Sequence, residues 1–217
     1  MKKRSLHIVI TAGPTREHFD PVRFISNASS GRMGYALAAS ARDAGHRVTL
    51  ISGPVALQPP SSITTIQVVS AAQMAAATKQ AFERADVAVF AAAVSDFRPV
   101  KTAASKGPKS SRTRAVLLKP TVDIAAMIGQ LKGRRVTVGF ALEDHAGRAR
   151  AQRKLRKKNF DGIVLNGPAN IGSDRASAEF LDRTGRWARW PRQTKTALAR
   201  RIIRTIEALV DRAGSSR

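Results

Sequence analysis

Strand-like and helix-like patterns alternate along this chain, and this alternation restricts the fold more than any other feature. Short apolar, β-branched runs typical of buried strands occupy residues 7–11, 47–53, 64–68, 86–90, 115–118, 135–140 and 161–165. Helical patterns lie between them at residues 35–44, 70–85, 121–131 and 146–158, with Thr121 as the expected N-cap of the third helix. The alternation predicts an α/β fold: a doubly wound, mainly parallel Rossmann-like sheet with helices on both faces.

The C-terminal third and the composition predict a single domain. Residues 177–181 and 186–190 are expected to form a small C-terminal hairpin around Thr184 and Gly185, followed by a closing helix over residues 192–212. A chain of 217 residues, 43% of them hydrophobic, can build one good core. We therefore predict one domain over residues 1–217, with a disordered tail at residues 214–217.

Several locations and chemistries are disfavoured by what the sequence lacks. It has no apolar run long enough for a membrane span, and its basic start is not followed by a signal-peptide pattern. The absence of cysteine excludes disulfides and fits a cytoplasmic protein. The four histidines lack metal-ligand spacing, and neither a nucleophile elbow nor a phosphate loop is present. Without a Gly-x-Gly-x-x-Gly turn after the first strand, a nicotinamide dinucleotide is disfavoured.

The net charge of +23 indicates an anionic partner. Basic residues are densest at residues 148–158 and 183–204, but aromatic side chains that would stack on bases are not interleaved with them. We interpret most of this charge as solvated surface and a minority as the lining of an anion site. Specific nucleic-acid binding is the less favoured interpretation.

The stretch from residue 8 to residue 34 is the strongest candidate for a binding element. It runs from the first strand through a long polar loop to Ser29, Ser30, Gly31 and Gly34, directly before a helix. Small residues at a helix start allow backbone N–H groups to approach a phosphate, and the helix dipole favours negative charge there. The alternative is an ordinary strand–loop–helix turn with Ser29 or Ser30 as N-cap. The length of the loop favours binding.

Other candidate residues follow later strands, whose carboxyl ends meet at one edge of a parallel sheet. The run from Phe90 to Ala93 lacks bulk, which suits a ligand lying on the backbone as well as it suits a tightly packed strand end. Asp96 can accept a ligand hydrogen bond, support a metal ion or pair with Arg98. The polar, basic residues 101–113 predict a mobile loop, whose Lys106 and Lys109 either close over phosphates or are solvated. Lys154 and Lys158 share one helix face and can bind a triphosphate.

Several motifs together resemble the phosphopantothenoylcysteine synthetase family. The longest is Thr11-Ala12-Gly13-Pro14-Thr15-Arg16-Glu17, followed by Asp20-Pro21-Val22-Arg23-Phe24-Ile25-Ser26-Asn27 and Ser29-Ser30-Gly31-Arg32-Met33-Gly34. Further matches are Ala91 to Pro99, Leu118 to Ile124, Val138 to Glu143, Lys154-Leu155-x-x-Lys158-x-x-Asp161, Asn166, and Ile171 to Asp174. The matches are in the same order as in the family and cover nearly the whole chain.

The resemblance implies a ligase of coenzyme A biosynthesis that joins 4′-phosphopantothenate to L-cysteine. The bacterial-type enzyme uses CTP and Mg²⁺: the substrate carboxylate attacks the α-phosphate, pyrophosphate leaves, and cysteine then displaces CMP from the acyl-cytidylate. Family members pair as homodimers, so a homodimer is expected. Many bacterial members are fused to a flavin-dependent decarboxylase. Because this chain starts at the synthetase strand, we expect no FMN here and a separate decarboxylase chain.

The resemblance also implies roles for individual residues. Asn27 matches the catalytic asparagine and Lys106 the loop lysine. Substrate contacts are implied for Arg23, Asn27, Ala92 and Ala93. Nucleotide contacts are implied for Ser29, Gly31, Gly34, Ala91, Ala92, Asp96, Lys106, Asp123, Phe140, Lys154 and Lys158. The residues that hold Mg²⁺ are left open.

One departure from the family pattern keeps alternatives open. The family loop usually carries Lys-x-Lys-Lys, and here it reads Lys106-Gly107-Pro108-Lys109. A nucleotide-binding relative without ligase activity and a basic nucleic-acid-binding module are the rival hypotheses. The sequence does not choose between CTP and the ATP that eukaryotic relatives use.

Overall fold

A computed structural model of the chain describes residues 4–109, 111, 113–143, 145–170 and 172–215. An eight-stranded sheet forms its centre. In chain order the strands are β1 (His7–Ala12), β2 (Arg16–His18), β3 (Phe24–Ser26), β4 (Arg47–Ser52), β5 (Thr64–Gln67), β6 (Val87–Phe90), β7 (Phe97–Pro99), β8 (Leu118–Pro120), β9 (Val136–Leu142), β10 (Gly162–Asn166), β11 (Arg175–Asp182) and β12 (Trp187–Thr194). The helices are α1 (Arg32–Asp43), α2 (Ala71–Phe82), α3 (Ile124–Leu131), α4 (Gly147–Lys157) and α5 (Lys195–Ser215).

The strand order of the central sheet is β12-β11-β10-β9-β6-β1-β4-β5. The six strands from β10 to β5 in this order are parallel, and β11 and β12 continue the sheet as an antiparallel hairpin. From β1 the chain first builds outward through β4 and β5, then returns to β6 on the other side of β1. This reversal makes the β1–β6 boundary a topological switch point, where parallel α/β sheets open a crevice at their carboxyl edge.

Alternating side chains of the buried strands build a core on each face of the sheet. On one face, Ile10 packs in a cluster with α1 and α5. On the other, the neighbouring Val9 packs in a cluster with α2, α3 and α4. Both strand residues are fully buried. The predicted doubly wound, mainly parallel sheet with helices on both faces is confirmed.

Two segments differ from the prediction because they form short hairpins outside the central sheet. The strand expected at residues 115–118 is β8, three residues long, and it pairs antiparallel with β7 alone. The long polar loop after β1 contains a second short hairpin, β2–β3.

The N-cap of α3 is Asp123, whose side chain accepts from the Ala126 N–H at 3.1 Å. Thr121 instead donates its hydroxyl to the Ser95 carbonyl at 2.5 Å.

Element ends differ from the prediction where strands or glycines set them. α1 begins at Arg32, after Gly31 in a left-handed conformation (φ 72°), and no side chain caps it, so neither Ser29 nor Ser30 is an N-cap. The C-terminal hairpin is confirmed but longer than predicted, and α5 therefore begins only at Lys195. Because α5 extends to Ser215, residues 214–215 of the expected tail are helical, and residues 216–217 lie outside the described residues.

Residues 101–113, which were predicted to be a loop, form no helix or strand where they are described. Within the described ranges, no helix is both long and apolar enough to cross a membrane.

Candidate active site at the switch point

Two adjoining cavities open at the carboxyl edge of the sheet, one toward each face. We call the first the α3 cavity; it has a volume of about 330 Å³ and is lined by residues of β6, α3 and α4. We call the second the α1 cavity; it has a volume of about 550 Å³ and is lined by the start of α1 and by residues of β10, β11 and α5. Both cavities are lined by Ala92, Val94, Asp96, Phe140 and Lys154, which form a shared wall. The switch point therefore carries one continuous cleft.

The shared wall is held in place by the backbone of β1 and its following loop. The Ala91 N–H donates to the Thr11 carbonyl at 3.2 Å, and the Ala93 N–H donates to the Gly13 carbonyl at 2.9 Å. The side chains of Ala91, Ala92 and Ala93 are half-buried methyl groups, so nothing bulky projects from this stretch of backbone. A ligand can therefore lie against the backbone between the two cavities.

Two lysines, Lys154 of α4 and Lys158 directly after it, line the α3 cavity. Lys154 donates its ammonium to the Phe140 carbonyl at 3.0 Å, and Lys158 pairs with Asp123 at 2.9 Å. Burial and the neighbouring Lys158 lower the pKa of Lys154, against the opposing effect of Glu143 and of other nearby carboxylates. Burial raises the pKa of Asp123, but hydrogen bonds from Lys158 and the Ala126 N–H outweigh it and leave that pKa below its usual value. This cavity therefore holds two lysines beside two carboxylates, Asp96 and Asp123, in a partly desolvated place.

Asn27 lies in the α1 cavity beside the shared wall. Its amide nitrogen donates to the carbonyls of Val94 at 3.0 Å and Ala93 at 3.3 Å. These bonds orient the side chain, and the amide oxygen makes no hydrogen bond with any residue that the structure describes. Asn27 is exposed, so a ligand can reach it.

The start of α1 lines the same cavity and owes its position to glycine. A Cβ on Gly34 would lie 2.4 Å from the Ala12 Cβ, so only glycine lets α1 lie this close to β1. Gly31 lines the cavity directly before the helix. The N–H groups of the first helical turn have no intrahelical acceptor and carry partial positive charge, which suits an anion.

The cleft collects most of the predicted site residues, but Arg23 and Lys106 line neither cavity. Arg23 forms an ion pair with buried Asp20, through Nε at 2.6 Å. Burial raises the pKa of Asp20, but hydrogen bonds from the Arg23 side chain and from the N–H groups of Val22 and Arg23 outweigh it and lower that pKa to about 2. Lys106 is exposed on the loop, as is Lys109.

Sequence reasoning missed cleft residues that come from distant parts of the chain. Arg32, Asn170 and Lys195 line the α1 cavity, none of which was singled out for a role. Arg32 lay inside a quoted motif, but Lys195 had no local signal among 38 basic residues. Among the described residues, no group of three or more His, Asp or Glu side chains could hold a metal ion.

Comparisons with known proteins connect this cleft with a family. Residues 3–209 match the model of the DNA/pantothenate metabolism flavoprotein C-terminal domain. The chain is 40% identical over 213 residues to the coenzyme A biosynthesis bifunctional protein CoaBC of Bacillus subtilis (strain 168), covering 96% of this chain and 52% of that protein. It is 44% identical over 209 residues to a cysteine/cysteine sulfinic acid decarboxylase of an unknown prokaryotic organism, covering 94% and 58%. The chain thus spans about half the length of these curated relatives.

Solved structures give the same result. The crystal structure of the C-terminal domain of CoaBC superposes with a TM-score of 0.83 at 38% identity, covering 96% of this chain and 97% of that one. A Cab2 mutant in complex with phosphopantothenate-cysteine has the same fold, with a TM-score of 0.80 at 17% identity, covering 98% and 89%. The chain belongs to the family of DNA/pantothenate metabolism flavoprotein C-terminal domains, the phosphopantothenoylcysteine synthetase family that its motifs resemble.

Proposed function

We propose that this chain is a phosphopantothenate–cysteine ligase that uses CTP and forms an acyl-cytidylate intermediate in coenzyme A biosynthesis. The observation that carries the proposal is the pair of cavities that meet at the shared wall, with Asn27 beside that wall in the α1 cavity. A ligase of this kind must bring a nucleotide and an acyl substrate together at one point, and the cleft offers a separate space for each. Similarity to CoaBC supports the same reaction.

In this proposal the α3 cavity binds the nucleotide. Lys154 of α4 and Lys158 directly after it line this cavity and would hold the phosphates, while Asp123 orients Lys158. The stacked rings of Phe90 and Phe160, 5.7 Å apart between centroids, give the cavity an aromatic floor. Partly desolvated cations bind phosphate more strongly than solvated ones do, because the surrounding dielectric is lower.

The acyl substrate would occupy the α1 cavity with its carboxylate at the shared wall. A carboxylate oxygen attacks the α-phosphorus of CTP, and pyrophosphate leaves with the electron pair of the broken P–O bond. The cysteine amine then attacks the acyl carbon, loses a proton, and displaces CMP. Asn27 lies beside the shared wall, and its amide carries no charge. Its amide is fixed by Ala93 and Val94, so it would hold the acyl-cytidylate without reacting with it.

Mg²⁺ fits the carboxylates that the cleft presents. Asp96 belongs to the shared wall and Asp123 to the α3 cavity. In nucleotide sites Mg²⁺ is usually held by one or two carboxylates together with substrate phosphates, so either residue would serve. When bound, the ion neutralises phosphate charge.

A homodimer is the assembly we propose. Apolar side chains on and beside the β2–β3 and β7–β8 hairpins remain exposed: Val22, Phe24, Phe97, Leu117 and Leu118. Thr102 donates its hydroxyl to the His18 carbonyl at 3.0 Å, which holds the two hairpins side by side. Exposed apolar surface of this kind supports a protein–protein interface. Sedimentation of a Leu117→Asp variant tests it: a monomer is expected, and an unchanged dimer would place the interface elsewhere.

The decisive experiment measures pyrophosphate release and amide formation. Wild-type protein is incubated with 4′-phosphopantothenate, cysteine and Mg²⁺, with CTP and ATP in parallel. We expect release with CTP that requires 4′-phosphopantothenate. Asn27→Ala should abolish the amide product, whereas Gln130→Ala, a change at an exposed position of α3, should leave it unchanged. No release with either nucleotide would exclude the ligase, and salt-dependent DNA binding would then be the alternative to measure.

A further inference from the structure

Two threonines hold the backbone of Ser95, which lies between Val94 and Asp96 of the shared wall. The Ser95 N–H donates to the Thr15 hydroxyl oxygen at 3.0 Å. The Thr121 hydroxyl donates to the Ser95 carbonyl at 2.5 Å, and the Thr121 N–H donates to the Asp96 carbonyl at 2.9 Å. We call these two residues the threonine clamp. It fixes three polar groups of the backbone that carries Asp96.

Thr15 also connects this backbone with Asn27. Its carbonyl accepts from the hydroxyl of Ser26, the residue directly before Asn27, at 2.8 Å. Its N–H donates to the Ala93 carbonyl at 3.4 Å, and the Asn27 amide nitrogen donates to the same carbonyl at 3.3 Å. With the bond from Ser95, all three polar groups of Thr15 therefore join the segment that carries Asn27 to the segment that Asn27 contacts.

The clamp lies at the bases of both short hairpins. Thr15 comes directly before β2 and Asn27 directly after β3, while Asp96 comes directly before β7 and Thr121 directly after β8. These residues are far apart in sequence, and the bonds of the clamp hold them at one place beside the shared wall. The directions of Asn27 and Asp96 therefore depend on the clamp.

Thr15 acts through its neighbours and not on a ligand. It is fully buried and lines neither cavity. Valine has nearly the same shape, so packing alone does not require a threonine here, whereas only the hydroxyl can accept from the Ser95 N–H. Ser95 is buried as well, and a buried N–H that loses its acceptor carries the full cost of its desolvation. Loss of the Thr15 hydroxyl would therefore move the Ser95 backbone toward another acceptor.

We propose that Thr15 and Thr121 are positioning residues of the ligase: they fix the Ser95 peptide so that Asn27 and Asp96 face the reacting groups at the shared wall. This rests on the proposed function, because the reacting groups are those of the acyl-cytidylate. Polar groups that are oriented before the reaction lower its barrier more than groups that must be oriented during it. The clamp should therefore affect kcat more than it affects binding.

The first test needs no substrate. Nitrogen–proton correlation NMR spectra report the Ser95 N–H and the side-chain amide of Asn27, whose signals an Asn27→Ala variant identifies. In Thr15→Val we expect the Ser95 N–H to exchange with solvent at least about tenfold faster, and the Asn27 side-chain signals to shift toward those of a free amide. Thr15→Ser should restore both. Thr78→Val removes a buried hydroxyl that donates to the Met74 carbonyl at 2.6 Å in α2, and it should change neither.

The second test measures steady-state kinetics with CTP, 4′-phosphopantothenate and cysteine. Thr15→Val and Thr121→Val should each lower kcat about 10- to 100-fold and change each KM less than about threefold. Thr15→Ser and Thr121→Ser keep the hydroxyl and should stay within about threefold of the wild-type kcat. Thr78→Val should keep the wild-type kcat even where urea unfolding shows a comparable loss of stability. This control separates the position of the hydroxyl from the stability of the fold.

Each outcome also separates this proposal from the ligase proposal. Wild-type kcat in folded Thr15→Val and Thr121→Val would overturn the clamp and leave the ligase intact. Parallel changes of kcat and KM that serine does not rescue would reduce both threonines to a structural role. If Thr15→Val does not fold, Thr121→Val decides by the same criteria, because its side chain is only half-buried. If the wild type does not turn over, shifted Asn27 signals that serine restores would support the clamp and exclude the ligase alone, whereas unshifted signals would exclude both.

Discussion

The lysines that line the α3 cavity and the lysine on the loop after β7 have the same chemistry but different surroundings. Lys154 and Lys158 are half-buried and held by hydrogen bonds to Phe140 and Asp123. Lys106, by contrast, is exposed on a loop without helix or strand and lines neither cavity. The difference shows that residue type alone does not decide how far a lysine is buried and oriented. A cation binds a phosphate strongly where packing has already removed its water and fixed its direction.

The largest effect is expected for Lys154, the half-buried lysine that lines both cavities. Lys154→Met should lower kcat/KM for the nucleotide about 100- to 1000-fold, because it removes a preoriented cation from a partly desolvated cavity. Lys157→Met changes an exposed lysine of the same helix and should alter kcat/KM less than twofold. Steady-state kinetics with varied CTP measure both. Equal effects of the two variants would show that the charge of α4, and not its position, matters.

The loop provides the matching experiment. If Lys106 acts as its family counterpart does, Lys106→Met should lower kcat about 10- to 100-fold with little change in KM, because an exposed lysine reaches the phosphates only during reaction. Lys109→Met should have a smaller effect, since the family resemblance implies a role for Lys106 and none for Lys109. Single-turnover measurements separate the chemical step from binding. A KM effect without a kcat effect would place Lys106 in ground-state binding.

A backbone position tests how far the cleft depends on packing. Gly34→Ala should destabilise the protein by about 2 kcal/mol, because its Cβ would lie 2.4 Å from the Ala12 Cβ and force α1 away from β1. Gly167→Ala is the control, since nothing lies within 4 Å of its added Cβ and its backbone is unstrained. Urea unfolding measures both. Equal midpoints would mean that α1 shifts freely.

The smallest effect is expected outside the cleft, at the β2–β3 hairpin. The pKa of Asp20 is lowered from 3.8 to about 2, so its carboxylate stabilises the folded state fully above about pH 4. That stabilisation is lost as the pH falls through 2, because protonation then weakens the bonds to Arg23. Asp20→Asn should therefore unfold at lower urea than wild type at pH 6, and the difference should shrink toward pH 2. A difference independent of pH would contradict this origin.

Local pattern was enough to predict the core elements, and local pattern together with the family motifs predicted most of the cleft. Buried strands and amphipathic helices have their own periodicities, so each can be recognised from the sequence without knowledge of its neighbours in the fold. The short strands β2, β3 and β7 were not predicted, and β8 was expected in the central sheet, because three residues are too few to show a period. The N-cap of α3 was misplaced at Thr121 for a related reason: both Thr121 and Asp123 suit the position, and only the contact with Ser95 separates them.

By itself, the sequence determined the layers of this protein, the carboxyl edge where the cleft opens and the family to which it belongs. Each of these follows from contiguous residues or from motifs in order along the chain. Only the tertiary structure decided that Lys195 joins Arg32 across more than 160 residues, while Arg23 and Lys106 line neither cavity. Which residues line the cavities depends on strand order and helix packing, because side chains distant in sequence meet only once the sheet has formed.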